Sequence, residues 1–152
     1  MSMSEDRAYI DENASELHRM RALVERLGDD ELRAQVNERW TVADALGHIA
    51  FWDARNLALA VKLESGVPFS RSDDEPEEVD WINDAAHPLI QAIEPRAAAR
   101  LSLRLARETD ERMASIPPER MYPLDPSSPI NPLRATHRRE HLDDIEAALR
   151  SL

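Results

Sequence analysis

The residues with the clearest chemical potential are histidines at helical spacing. His137 and His141 stand four apart in His137-Arg138-Arg139-Glu140-His141. Residues four apart on a helix share a face, with Cβ atoms roughly 5–6 Å apart, so one cation can reach both imidazoles. Ile145, Ala148 and Leu152 extend the same row, placing the histidine pair on a stripe that would be buried. A third histidine, His48, lies at the edge of an apolar face between Ala45 and Trp52. A buried imidazole needs partners for two ring nitrogens, and a helix backbone has none to spare. A divalent ion satisfies several rings at once. The spacing leaves a packed pair of core histidines as the alternative. Three neutral imidazoles without a thiolate suit Zn, Ni, Fe or Mn, and a three-histidine set with positions open to water is the pattern of catalytic sites. The affinity order puts Zn and Ni ahead of Fe and Mn. His18 reads as a boundary or surface residue. His87 precedes Pro88, where helical geometry is disfavoured, and is not expected to be a ligand.

Long helices must position these residues. The last is expected over Asn131 to Leu152, with Asn131 as cap and Pro132 in the first turn. The helix carrying His48 is capped by Thr41, with Asp44 completing a capping box, and ends at Ser65-Gly66. The first helix is expected from a Ser4 cap to a stop at Gly28, with a stripe of Tyr9/Ile10, Asn13, Leu17, Met20, Val24 and Leu27. Asp29 to Val36 reads as a short helix or turn. A third long helix runs from Glu94-Pro95 to Ile116, its stripe drawn through Leu101, Leu105, Glu108, Thr109, Arg112, Met113 and Ile116, and Pro117-Pro118 ends it. Val67 to Asp80 reads as an acidic loop. Val79 to Ile93 reads as a shorter helix, bent at His87-Pro88. The expected fold is all-α: a four-helix bundle with a short additional helix between the second and third, forming a single domain over residues 1–152.

Composition narrows the function classes. The chain has 152 residues, no Cys, 3 Gly and a net charge of −11. Without Cys there is no disulfide, zinc–thiolate site or protein cysteine nucleophile, and a reducing cytoplasm is the default location. The negative charge would be repelled by a phosphate backbone, so no nucleic-acid partner is expected. Nothing approaches 18 uninterrupted apolar residues, so no membrane span is expected either.

The Trp-Thr-Val-x-Asp-x-Leu-x-His-Ile-x-x-Trp stretch at 40–52 resembles the second-helix motif of the DinB-like superfamily. His-Arg-Arg-Glu-His-Leu-x-x-Ile at 137–145 is similar to that family's final-helix motif. The family's metal triad carries over as His48, His137 and His141. The resemblance implies a four-helix bundle, usually dimeric, holding a divalent metal between the second and last helices. Members with known activity include mycothiol-dependent maleylpyruvate isomerase, through its N-terminal domain, and bacillithiol transferases.

The resemblance therefore implies a metal-dependent enzyme: a thiol-dependent transferase or isomerase, or a hydrolase, acting on a small molecule. Activation of an external low-molecular-weight thiol suits a chain without cysteine. The alternative is a non-catalytic small-molecule-binding or stress-response bundle. Asp53, Glu140 and Asp144 are candidates to orient the ligand histidines, although as exposed helix charges they would pair with Arg138 or Arg139 instead. Asn83 is a candidate pocket residue. Apolar residues beyond one stripe's needs, Met20, Leu23, Leu101 and Leu103, together with the resemblance, point to a homodimer. Metal affinity is expected to fall below about pH 6.5, where free imidazole protonates.

Overall fold

A computed structural model describes residues 7–67, 76–121 and 129–152, with side chains in the second segment from residue 79. The helices are α1 (Ala8–Arg26), α2 (Asp29–Arg33), α3 (Val42–Glu64), α4 (Pro76–Gln91), α5 (Pro95–Ser115), α6 (Pro118–Met121) and α7 (Ala135–Arg150). Among the described residues there is no β-strand, only one isolated bridge between Gln35 and Thr41. α1 packs on α5, α5 on α3, α3 on α7 and α7 on α1. These contacts close a ring of four helices, with α4 laid against α3 outside it. The fold is all-α, as expected.

Local chemistry explains most boundaries. At the start of α3, Thr41 Oγ1 accepts from the Asp44 N–H at 3.1 Å, and Asp44 Oδ2 accepts from the Thr41 N–H at 3.0 Å. This is the expected reciprocal cap. Gly66, just past the other end, has φ +76°, a left-handed position suited to glycine. α5 opens with Pro95 at its first position, and the Glu94 carboxylate accepts from the Arg96 and Ala97 N–H groups. The expected Ser4 cap and most of the acidic loop, 68–75, lie outside the described residues. Gly28 follows the end of α1, as expected, with an extended backbone at φ −82°. Its N–H donates to Glu31 Oε1 and so caps α2. α4 continues through Pro88 to Gln91.

The largest boundary correction is α7. It begins at Ala135 rather than Asn131, and its own cap residue, Arg134, contributes no capping side chain. The cap comes from another helix. Asn13 Oδ1 on α1 accepts from the Arg134 and Ala135 N–H groups at 2.8 and 2.9 Å, and Asn13 Nδ2 donates to the Pro132 carbonyl. These bonds satisfy donors left open at a helix start and tie the entry of α7 to α1.

One core lies among α1, α3, α5 and α7 and includes Met20, Leu23, Leu46, Ile49, Leu142 and Ile145. The α5 face turned to it carries Ala98, Ala99 and Ala106, and Ser102 and Thr109 are buried along the same helix. This corrects the expected stripe: Arg112 is exposed and pairs with Glu64, while Leu101 and Leu105 line a groove beside α4. Small residues win the interior because they let α5 approach α3 closely. A second cluster, including Tyr9, Ala60, Met113 and Ile116, fills the other end. No helix among the described residues is long and apolar enough to cross a membrane.

Candidate metal centre

The three histidines arrive from two helices. His48 sits one and a half turns into α3, directly after Gly47, where an added Cβ would lie 2.6 Å from Ile90 Cγ2. Only glycine lets α4 pack so near His48. His137 and His141 lie in the first two turns of α7. The expected stripe through 137, 141, 145, 148 and 152 is rotated. The face buried deepest carries Ala135, Arg138, Leu142 and Ile145, the histidines flank it, and Leu152 is exposed.

The rings nevertheless converge. Their centroids are 5.1 Å apart for His48 and His137, 4.6 Å for His48 and His141, and 4.7 Å for His137 and His141. One nitrogen from each lies within 4.8 Å of the others. The Nε2 atoms of His48 and His137 are 3.2 Å apart. Two nitrogens each about 2.0–2.1 Å from one ion would stand roughly 2.8–3.4 Å apart, across the range from octahedral to tetrahedral angles. The His48–His137 pair is therefore spaced as two ligands of one divalent ion, and with His141 bringing a third nitrogen within 4.8 Å the three could hold one.

Protonation agrees with that fit. Burial, with His141 nearby, holds His48 down at about 3. Burial again, reinforced by His141 and Arg134, holds His137 at about 2. Burial also lowers His141, against the raising influence of Asp144 and Glu140. At neutral pH all three rings are uncharged, the form that ligates. His137 Nδ1, the nitrogen turned away from His48, is buried and has no hydrogen-bond partner among the described residues. Among the described residues, no carboxylate or carbonyl of the kind that commonly orients a ligand imidazole meets that nitrogen.

Orientation comes from other neighbours. Trp40 meets His48 edge to face at 4.8 Å and stacks its own plane on His87 at 4.9 Å. His87 is buried outside the triad, and its Nδ1 lies 3.4 Å from Arg39 Nη2. It supports Trp40, which supports His48. His18 is exposed.

A buried charge cluster fixes α7. Asp53, fully buried on α3, accepts from Arg134 Nε at 2.9 Å and from Arg138 Nε at 3.1 Å. The Arg138 guanidinium also meets Asp110 of α5 in a bidentate pair at 2.9 and 2.8 Å. The two arginines flank His137 in sequence, so the carboxylate that holds them also sets the register of His137 against His48. Burial lowers Arg134, opposed by Asp53. Burial pulls Arg138 down too, but its bonds to Asp110 and Asp53 carry it above the ordinary value, and it stays charged.

Asp53 therefore pairs with Arg138, as the alternative expected, but as a buried charge rather than an exposed one, and it contacts no triad histidine among the described residues. Glu140 and Asp144 are exposed and pair with neither Arg138 nor Arg139 among the described residues; Arg139 pairs with Glu16 of α1 at 3.0 Å. Asn83 does line the cavity beside the triad. That cavity, of about 240 Å³, is also walled by Val36, Asn37, Trp40, His48, His141 and Asp144. The sequence reading offers Arg138 only as a surface partner for carboxylates; its burial and its bidentate pair with Asp110 are not expected from it. A signal existed for Arg138, which shares a row with Ala135, Leu142 and Ile145.

Residues 14–144 match the family described as the DinB superfamily. The chain belongs to the DinB superfamily. No curated protein and no solved structure matches it. Both motifs at 40–52 and 137–145 lie within the matched span except for Ile145, so DinB membership covers all three histidines.

Proposed function

We propose that this DinB protein is a divalent-metal enzyme, with His48, His137 and His141 as the ligands. The observation that carries the reading is the 3.2 Å approach of the His48 and His137 Nε2 atoms beside His141, in rings kept neutral by burial. Zn or Ni is the favoured ion on affinity order, then Fe or Mn. An ion held there supplies Lewis acidity and a lowered pKa for a ligated water or small-molecule thiol. The chain's own part is to hold three neutral nitrogens close together beside a cavity walled by Trp40, Asn83 and Asp144. With no Cys in the sequence, a thiol nucleophile must be a small cosubstrate. Transfer of a group to or from such a thiol, isomerisation through it, or hydrolysis by water are the reaction classes this arrangement suits. A reducing cytoplasm, where free thiols persist, is the compartment that reading needs.

A homodimer belongs to the proposal, on altered grounds. Met20 and Leu23 are fully buried in the monomer core and are unavailable for an interface. The exposed large apolar residues include Trp81 and Leu89 of α4, 61% and 72% exposed, so α4 is the face offered for pairing. Neither a nucleic acid nor a membrane is a proposed partner.

The alternative, a non-catalytic small-molecule-binding bundle, draws support from a separate groove of about 540 Å³. It is lined by apolar residues such as Phe51, Ile82, Leu101 and Leu105 and shares no lining residue with the triad cavity. The discriminating experiment screens small-molecule thiols and electrophilic or ester substrates with metal-loaded wild type and His48→Ala. Turnover by wild type that His48→Ala loses supports the enzyme reading. Ligand binding in the groove with no turnover under any metal or thiol supports the alternative.

A further inference from the structure

α4 lies against α3 outside the four-helix ring, and its outer row is exposed: Trp81, Ala85, Pro88, Leu89 and Ala92. These positions, three and four apart, share one helix face. Trp81 and Leu89 are its large apolar members. The row carries no charge. Between Trp81 and Ile93 the sequence has one Asp and no Glu, Lys or Arg, and that residue, Asp84, pairs with Arg39 at 2.9 Å. A chain of net charge −11 repels a second copy across its charged faces. This row adds nothing to that repulsion.

The row is also self-complementary. Ala85 stands midway between Trp81 and Leu89, four positions from each. Two copies of α4 laid antiparallel about a two-fold axis at Ala85 bring Trp81 of one onto Leu89 of the other, twice. The small side chains at Ala85 and Ala92 let the two helix axes come to the short end of the usual range of about 8–10 Å. Area decides how far the contact must spread. At 61% exposure Trp81 supplies roughly 90–150 Å², whereas a stable pair takes about 800 Å² from each copy. The row alone falls short. The remainder lies beside it in the apolar groove of about 540 Å³, which Trp81, Ala85 and Leu89 border together with Phe51, Leu101 and Leu105. Row and groove form one continuous apolar surface.

We propose that α4 is the centre of an isologous dimer with its two-fold axis at Ala85. Trp81 and Leu89 of each copy pack on Leu89 and Trp81 of the partner subunit, over the groove. The inference rests on the homodimer proposed above and gives it an axis and a register. An anionic membrane is the poorer occupant, because it repels a chain of this charge.

Cross-linking tests the register. The chain has no Cys, so an engineered thiol meets only its own kind, and a disulfide needs Cα atoms within about 7 Å. Ala85→Cys is expected to cross-link to its own copy on oxidation with diamide. Trp81→Cys alone should not, since the two copies of that residue would lie about 12 Å apart along the helices. Trp81→Cys mixed with Leu89→Cys should. Wild type should sediment as a dimer at micromolar concentration. Ala85→Glu sets two like charges on the axis and should weaken the dimer by about tenfold or more. Circular dichroism verifies that these exposed-site variants fold. A dimer that ignores Ala85→Glu, or that cross-links through Trp81→Cys alone and not through Ala85→Cys, would overturn the inference and leave a homodimer standing. A wild-type monomer would overturn both. A monomer that binds anilinonaphthalene sulfonate, and loses it in Leu101→Glu, would assign the groove to a small apolar ligand instead. Metal content is read on the same samples, and a metal-free dimer would overturn the enzyme reading alone.

Discussion

At the residue scale, Asp53 is the side chain on which the candidate site most depends. It faces two guanidiniums with no exposure to solvent. Removing one partner of a buried charge network strands the others, at a cost of about 3–5 kcal/mol. Asp53→Asn is accordingly expected to destabilise the protein by that order in urea unfolding. A loss under about 1 kcal/mol, the range of exposed pairs, would show that the cluster is not desolvated as described.

The histidines make an opposite-signed demand. Their folded pKa values lie below the ordinary 6.5, so below that pH the unfolded chain binds protons that the folded one refuses. Stability of the metal-free protein is then complete above about pH 6.5 and falls as pH drops toward about 3, where His48 titrates. Each ring contributes up to about 1.4 kcal/mol per pH unit in that window. Melting of EDTA-treated protein between pH 8 and 4 checks this, and His137→Gln should flatten the slope. A melting temperature that is flat from pH 7 to 5 would contradict it. The same depression corrects the expectation of metal loss just below pH 6.5. Rings that remain neutral in the fold do not compete with an ion until the pH is well below that.

At the scale of elements, α7 shows what sequence conveys and what it does not. Periodicity located the helix and paired His137 with His141. It missed the start by four residues, because the cap is Asn13, which is remote in sequence. It also rotated the buried face, because an arginine in an apolar row looked like surface charge. Burial of Arg138 becomes intelligible only once Asp53 and Asp110 are known to face it, and that is a tertiary fact. α3 was read correctly because its cap, Thr41 with Asp44, is local. In α5 the expected stripe holds at Thr109, Met113 and Ile116, which are buried, and fails at Leu101, Leu105 and Arg112, because the small residues Ala98, Ala99 and Ala106 take the core face. If Asn13 caps α7 as described, Asn13→Ala should cost about 1–2 kcal/mol. Hydrogen exchange at the Arg134 and Ala135 amides should accelerate selectively. Uniform exchange along α7, unchanged at those two amides, would refute the remote cap.

At the scale of the whole molecule, the bundle turns two distant motifs into one site. α3 and α7 are neighbours in the ring, and the Asp53 clamp holds them in register across 81 and 85 positions of sequence. The fold class and the convergence of His48, His137 and His141 were legible because both motifs are short and helical. The cavity wall was not, apart from Asn83. It depends on how the loop at Asn37 and Trp40 returns beside α4, and no sequence periodicity encodes that.

The central claim is that the three histidines bind one ion, and the most direct measurement is metal stoichiometry joined to thermal stability. Protein purified without chelator should carry about one divalent ion per chain. Removing the ion should lower the melting temperature, and restoring Zn or Ni at a hundredfold excess over Kd should return about 2.7 kcal/mol. His141→Ala should lose both the ion and the response. Wild type that carries no metal, and whose melting ignores chelator and added ions alike, would contradict the account.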